Sequence, residues 1–484
     1  MNSPLSAAEH LPFPNSLASR SWTSTEVAVL KQHIDAAIAK APLLGTHLGI
    51  LALDTDRGRV LYERNADDAF VPASTLKLLT GIVALEKLGA DAHFRTQLVA
   101  RGTRDGSLLR GMLVLRAGGD PELDTTALQE AATAIVAAGF SGVTQGVSID
   151  ASAFRGAPYG AGWAWDDFPN AYSAPIAAIA VNENAVHATL TPGASVGDPA
   201  TLTLPPGEVE ASRLRAFRFG NFVTTGSAES LDTADAWWGD EEVGVSGSLP
   251  LGAAPEEIDV AIRDPLRVAR RLLGALLTER HVAGCTVEAD APIFTHSSDD
   301  AETTLWTHES SSLGTMLADM WLPSDNFIAE MWLRDVAHVA SAESATVEDG
   351  IAIERDFLRS LGVDPATFTI VDGSGLSRQD LLTPRDLAVL LGHAWASPQR
   401  SVVLDALPIA GLRGTLAHKF TDSPLTGRLF AKTGSMRNVA NLAGYVATYA
   451  HGPVTVVIMA DDALIDDDSL ARLQMGILSA LLEG

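Results

Sequence analysis

The two ends of the chain repeat one pattern, helix plus paired strands, and this limits the architecture more than any other feature. Near the start, Val27, Leu30, Ile34 and Ile38 fall at helical spacing within Thr25 to Lys40, behind Ser24 or Thr25 as a cap. Two β-rich runs follow, Leu48 to Leu53 and Arg59 to Tyr62, around the turn-forming stretch Asp54-Thr55-Asp56-Arg57-Gly58. Near the end, Leu442 to Tyr449 and Val454 to Ala460 flank His451-Gly452-Pro453. A stripe of Leu470, Leu473, Ile477 and Leu481 then marks a helix from Ser469 to Leu482, with Ser469 as its cap. A helix with one apolar stripe must cover something, and short strand pairs need neighbours. The economical solution is an antiparallel sheet built from both chain ends and faced by the terminal helices, with the remaining chain inserted into it.

The middle of the chain has a different texture. From about Arg95 to Pro292, short β-like runs such as Leu113 to Arg116, Val147 to Ile149, His187 to Thr191 and Ala200 to Leu204 alternate with Gly and Pro. One helix stands out there, Leu266 to Glu279. Helical periodicity returns over Leu305 to Trp332 and Ile351 to Leu361, so the main domain is re-entered near residue 300. At a typical ~150 residues per domain, 484 residues accommodate a main domain and one or two β-rich insertions.

Charge narrows the function. With 60 acidic against 34 basic residues the formal net charge is −26, which repels nucleic acids and anionic lipid surfaces. The single cysteine, Cys285, cannot form an internal disulfide and reads as a small buried hydrophobe, and no Cys/His cluster has zinc spacing. Met1 to Ser21 lacks the basic and apolar regions of a signal peptide, and the longest apolar stretch, Val439 to Ala460, is interrupted by Asn441, His451, Gly452 and Pro453. No transmembrane segment, metal or cofactor is expected.

Three short motifs carry the chemistry. Ser74-Thr75-Leu76-Lys77 opens an apolar helical stretch, which sets Ser74 and Lys77 on one face. A serine hydroxyl needs a base to become a nucleophile, and an amine within hydrogen-bond reach serves if burial or nearby cations lower its pKa. Taken alone, the pair also fits a capping serine and a solvated lysine. Ser324-Asp325-Asn326 precedes a helix at Phe327 to Val336, and Lys432-Thr433-Gly434-Ser435 leads toward a C-terminal strand. S-x-x-K, S-D-N and K-T-G in this order form the signature of penicillin-binding proteins and class A β-lactamases.

Ser324 follows Ser74 by 250 residues and Lys432 follows Ser324 by 108, a spacing that resembles the low-molecular-mass class C penicillin-binding proteins, which are serine D-alanyl-D-alanine carboxypeptidases/endopeptidases. The segments Gly118 to Leu123, Gly162 to Asp167, Val181 to Asn184, Asp372 to Arg378 and Leu407 to Gly411 are similar to that family as well. The resemblance runs from about Thr25 to the end. It implies an α+β fold, with a transpeptidase/β-lactamase-like main domain at residues 22–96 and 300–484 carrying inserted β-rich domains. These would be residues 97–184 with 255–299, and residues 185–254.

Residue by residue, the resemblance makes Ser74 the nucleophile and Lys77 its base. Ser324 relays the proton to the leaving amine, Lys432 keeps that relay cationic, and Asn326 orients Lys77 and the substrate peptide. The Ser74 and Ser435 amides would form the oxyanion hole, while Thr433 and Ser435, on either side of Gly434, would join Lys432 in holding the substrate carboxylate. Asp167 and Tyr172, opposite Leu376, Arg378 and Met436, match the family's side-chain pocket and suit a zwitterionic end such as meso-diaminopimelate. Asp167 as a turn residue and Tyr172 as core are the plainer alternatives. The implied partners are peptidoglycan stem peptides and β-lactams, and the implied location is extracytoplasmic. A β-lactamase or esterase of the same fold and a non-hydrolytic cell-wall binding module remain alternatives. Trp237-Trp238 reads as an inter-domain or surface patch, with stacking on sugar as the alternative, and His308 and His418 as structural.

Overall fold

The computed structural model describes residues 13–14, 20–239, 242–285, 301–464 and 467–484, so the leader from Met1 lies mostly outside the described residues. Five antiparallel strands form the central sheet in the order Leu429–Met436, Val439–Ala447, Pro453–Asp461, His47–Asp54 and Arg59–Arg64. Both chain ends therefore build one sheet, as their mirrored pattern implies. The helices Ser24–Lys40 and Asp467–Glu483 cover one face, burying Val27, Leu30, Ile34 and Ile38 with Leu473, Ile477 and Leu481. Each such side chain taken fully from water contributes roughly 1.5–3 kcal/mol.

Helix boundaries follow local hydrogen bonds that the apolar stripes do not specify. Thr23, not Ser24 or Thr25, caps the first helix: its Oγ1 accepts from the Glu26 amide at 3.2 Å, and its own amide donates to Glu26 Oε2 at 2.8 Å. Ser469 is not a cap either, since it lies in the first turn of a helix that begins at Asp467.

On the opposite face Pro384–Ala396 packs against the sheet, and Lys77–Leu88, Leu313–Trp321, Asn326–Ser341 and Val347–Ser360 pack with one another in the apolar cluster they share with it. The periodicity taken as helical from Leu305 is corrected here. Glu302–Glu309 is a strand, paired antiparallel with Arg95–Asp105, and the helix starts at Leu313, where the Ser312 side chain accepts from the Thr315 amide. That strand extends a sheet of order Glu302–Glu309, Arg95–Asp105, Leu108–Arg116 and Gly142–Val143, with Val147–Asp150 also on Leu108–Arg116. Two three-stranded sheets complete the insertion. The insertion is less purely β than its texture suggests, because Thr125–Ala137, capped by Asp124, and Pro206–Arg213 are helices too. Its sheets and helices share one apolar cluster that includes Cys285. Trp238 touches both this cluster and the main one, and its indole donates to Ala261 O at 2.7 Å.

The strand carrying Lys432 is at the sheet edge, held on one side by Val439–Ala447. Gly444 makes their approach possible, because a Cβ there would stand 2.1 Å from Phe430 O and 2.5 Å from Ala431 Cα. Gly444→Ala is expected to cost about 1–3 kcal/mol of stability by forcing the strands apart. Urea unfolding checks this, and an unchanged midpoint would contradict it.

Candidate active site

The three motifs converge from three different elements. Ala73–Leu76 forms a 3₁₀ turn that runs directly into the helix Lys77–Leu88. This places Ser74 Oγ 2.9 Å from Lys77 Nζ. The ammonium donates onward to Asn326 Oδ1 at 2.6 Å and to the Ser374 carbonyl at 2.7 Å. Lys77 is wholly buried, and the Trp321 indole anchors its helix by donating to Lys77 O at 2.9 Å. Burial lowers the Lys77 pKa to about 8, against the opposing pull of Asp372, Asp325 and Glu330.

Asp325 turns out to be structural. Its carboxylate accepts from the Ile328 amide at 2.7 Å and caps the helix Asn326–Ser341, which fixes Asn326 in the first turn. Asn326 is held from both ends of its amide, since its Nδ2 donates to Tyr172 O at 2.8 Å. Ser324, just before the cap, has φ +71°, and Ala73, just before Ser74, has φ +47°. Such conformations cost of order 1–3 kcal/mol for non-glycine residues; here one is at Ser324 itself and the other immediately precedes Ser74.

Lys432 Nζ donates to Ser324 Oγ at 2.8 Å and to Thr433 O at 3.0 Å, so serine and lysine form a second pair across the cleft from the first. The surroundings of Lys432 disfavour its charged form. Burial first, then the positive charges of Lys77 and Lys419, push its pKa well below the ordinary lysine value. A charged Lys432 needs an anion beside it, and a substrate carboxylate at Thr433 would supply one. Thr433 Oγ1 is 2.8 Å from Thr415 Oγ1, and Ser435 is exposed. Gly434 lets the strand lie against the serine turn: a Cβ would meet Pro72 O at 2.6 Å and Ser74 N at 3.2 Å. Asn441, in the neighbouring strand, ties the same turn down by donating to Val71 O and Pro72 O, both at 2.8 Å.

The side-chain pocket residues lie in two halves. Tyr172 Oη donates to Asp167 Oδ1 at 2.8 Å, while Arg378 Nη2 donates to Arg437 O at 2.6 Å, next to Met436. Tyr172 is half-exposed, so it is not a core residue. Leu376 follows the Ser374 carbonyl by two residues and donates its amide to Ser374 Oγ at 3.3 Å. His308 pairs with buried Asp120 at 2.6 Å, a contact that raises its pKa. His418 lines a groove of about 760 Å³ with Thr433 and Ser435. Among the described residues no group of three or more His, Cys, Asp and Glu side chains could hold a metal ion, and no helix is long and apolar enough to cross a membrane.

A model of the D-Ala-D-Ala carboxypeptidase 3 (S13) family matches residues 30–480. The chain belongs to that family. Among its relatives, the S13 chain is 33% identical over 434 residues to the D-alanyl-D-alanine carboxypeptidase of Actinomadura sp. (strain R39), covering 86% of this chain and 78% of that one. It is 25% identical to the D-alanyl-D-alanine carboxypeptidase DacB of Haemophilus influenzae, covering 84% of each. The crystal structure of penicillin binding protein 4 (dacB) from Haemophilus influenzae superposes with a TM-score of 0.79 at 23% identity, over 93% of this chain and 99% of that one. The architecture is thus α+β, the penicillin-binding fold with additional domains.

Three contacts of the motif residues were not anticipated from the sequence: the Ser374 carbonyl on Lys77, the Tyr172 carbonyl on Asn326 and the Thr415 hydroxyl on Thr433. The first two are main-chain oxygens, and only Ser374 lies in a segment the sequence had marked, Asp372 to Arg378. Two outcomes follow from the geometry. Penicillin acylation should rise with pH through a midpoint near 8, because Lys77 accepts a proton only when neutral; a rate flat across roughly pH 6 to 10 would contradict this. Gly434→Ala should slow acylation on the order of a hundredfold by displacing the strand from Ser74, as stopped-flow kinetics would show, and an unchanged rate would refute that packing.

Proposed function

We propose that the chain is a serine DD-peptidase that hydrolyses the terminal D-Ala-D-Ala bond of peptidoglycan stem peptides, and D-amino-acid cross-links, through an acyl-enzyme. The observation that carries this is the 2.9 Å contact between Ser74 Oγ and a buried Lys77 whose pKa is lowered to about 8. Membership of the D-Ala-D-Ala carboxypeptidase family supports the substrate.

Neutral Lys77 takes the Ser74 proton as Oγ attacks the penultimate D-alanine carbonyl. The Ser74 and Ser435 amides receive the developing oxyanion. As the C–N bond breaks, Ser324 hands a proton to the departing amine and is resupplied with the one that Lys77 took from Ser74, which leaves Lys77 neutral again. Neutral Lys77 then deprotonates the water that attacks the ester, and that proton passes to Ser74 Oγ as it leaves. Thr433, Ser435 and Lys432 hold the substrate carboxylate, and a β-lactam presenting an equivalent carboxylate acylates the same serine. The H. influenzae protein in complex with a novel β-lactam supports that last point for a related fold.

The finer substrate reading is a meso-diaminopimelate-type stem, with its ammonium on Asp167 and its carboxylate on Arg378, framed by Tyr172, Leu376 and Met436. Such chemistry belongs outside the cytoplasmic membrane. The anionic cell wall is approached by a protein of net charge −26, so the cleft supplies positive potential locally from the exposed Arg378.

Labelled penicillin should mark the wild type stoichiometrically and leave Ser74→Ala unmarked, and the wild type should release D-alanine from a stem-peptide mimic. Labelling of the mutant would overturn the nucleophile; tight binding with background release would favour a binding module. Turnover of many penicillins per second, instead of a long-lived adduct, would favour a β-lactamase. Asp167→Ala and Arg378→Ala should each cost about 1.5–3 kcal/mol, roughly ten- to a hundred-fold in kcat/KM, on a peptide with a free zwitterionic end. Equal loss on a peptide lacking that end would rule out the pocket.

A further inference from the structure

Asp372 stands where the two halves of the site meet, and the reaction outlined above gives it no part. It is wholly buried, and its carboxylate accepts three hydrogen bonds: from the Gly375 amide on Oδ1 at 2.7 Å, and from the Ser377 amide and the Trp163 indole on Oδ2 at 2.8 and 2.9 Å. The first two shape the turn whose Ser374 carbonyl takes the Lys77 ammonium and which leads into Leu376 and Arg378. The third reaches out of the main domain to the Gly160 to Asp167 loop. That loop is packed tightly on the same turn. A Cβ on Gly160 would stand 2.4 Å from Trp163 Nε1 and 3.0 Å from Asp372 Cβ, and one on Gly162 would stand 2.7 Å from Ser377 Oγ. Asp167, at the end of the loop, carries the Tyr172 contact, and the Tyr172 carbonyl holds Asn326, a second of the three acceptors of Lys77.

We propose that Asp372 is a positioning residue that couples the Trp163 loop, and with it the recognition of the substrate side chain, to Lys77. This rests on the serine-peptidase reading above. Through its Trp163 bond Asp372 sets where the Asp167 loop sits, and through the Gly375 and Ser377 amides it sets where the Ser374 carbonyl points. A substrate that orders the loop from the pocket side thereby steadies one of the three acceptors that hold the Lys77 ammonium.

Charge gives Asp372 a second hold on Lys77. Its negative charge is the largest of the three that oppose the burial of the ammonium, ahead of Asp325 and Glu330. The neighbouring acids do not duplicate it. Burial and Asp372 itself push Asp380 up to about 10, and burial raises Glu354, on the helix Val347–Ser360, well above the ordinary range, so both resist carrying charge. Glu330 is paired with Arg334 at 3.3 Å and accepts the Gly373 and Ser374 amides at 2.8 and 2.9 Å, and on the far side stands Lys432.

Two variants of the full chain separate coupling from simple support. Asp372→Asn removes the charge and turns one acceptor into a donor facing N–H groups. The rising limb of its penicillin acylation profile should move about one pH unit lower, because Lys77 loses its main counter-charge. Trp163→Phe keeps the ring and the charge but loses the indole N–H. Its acylation limb should stay in place, while its preference for a peptide with a free zwitterionic end over one without it should fall about tenfold. Loss at all pH values by one factor with an unmoved limb in Asp372→Asn would overturn the electrostatic role, and full preference in Trp163→Phe would overturn the coupling. A wild type that releases no D-alanine would instead defeat the underlying peptidase reading.

Discussion

Everything in the cleft depends on a lysine ammonium that has been taken out of water. Lys77 has no solvent to solvate it and relies on the Ser74 hydroxyl, the Asn326 amide and the Ser374 carbonyl, all between 2.6 and 2.9 Å. Burying an amine disfavours its charged form, which is what turns a residue ordinarily protonated at neutral pH into a base. Three buried or half-buried carboxylates keep the pKa from falling further. The result is a group poised near neutrality rather than one locked in either state.

The fold can be understood as the means of bringing those partners together. The sheet needs both chain ends, so the edge strand bearing Lys432 comes from the C-terminal half, while the Ser74 turn hangs from the N-terminal hairpin. Asn441 bonds that turn to the sheet, and Gly434 and Gly375 permit approaches that a side chain would block, the latter at φ +76° with Ala73 O 2.0 Å from where a Cβ would be. The helix Asn326–Ser341 arrives after the long insertion, yet its cap at Asp325 delivers Asn326 to the lysine. Backbone strain at Ala73 and Ser324 is tolerated because the surrounding packing over-determines both positions.

The terminal helices, the paired strands and the three motifs were legible in the sequence because each rests on a local pattern: apolar spacing, turn chemistry, or side chains of defined reactivity. What was not legible depended on partners distant in the chain. Leu305 to Glu309 carries apolar residues that suit either period, and its pairing with Arg95–Asp105 decided for strand. The helix Thr125–Ala137 was hidden among short β-like runs although Asp124 supplies its cap. Lys432 has the residue type of a cation, and only its burial beside Lys77 and Lys419 reveals how costly that charge is. The acceptors on Ser374 and Tyr172 are main-chain oxygens, which every residue possesses, so no composition or spacing could mark them.

Lys77 is expected to titrate near neutrality in the free protein. Lysine side chains labelled with ¹³C at Cε can be followed by NMR across a pH titration, with the Lys77 signal assigned by its loss in Lys77→Ala. A midpoint near 8 is expected for that signal. A midpoint at the ordinary lysine value of about 10.5 would mean that burial does not free the amine, and the mechanism built on it would not stand.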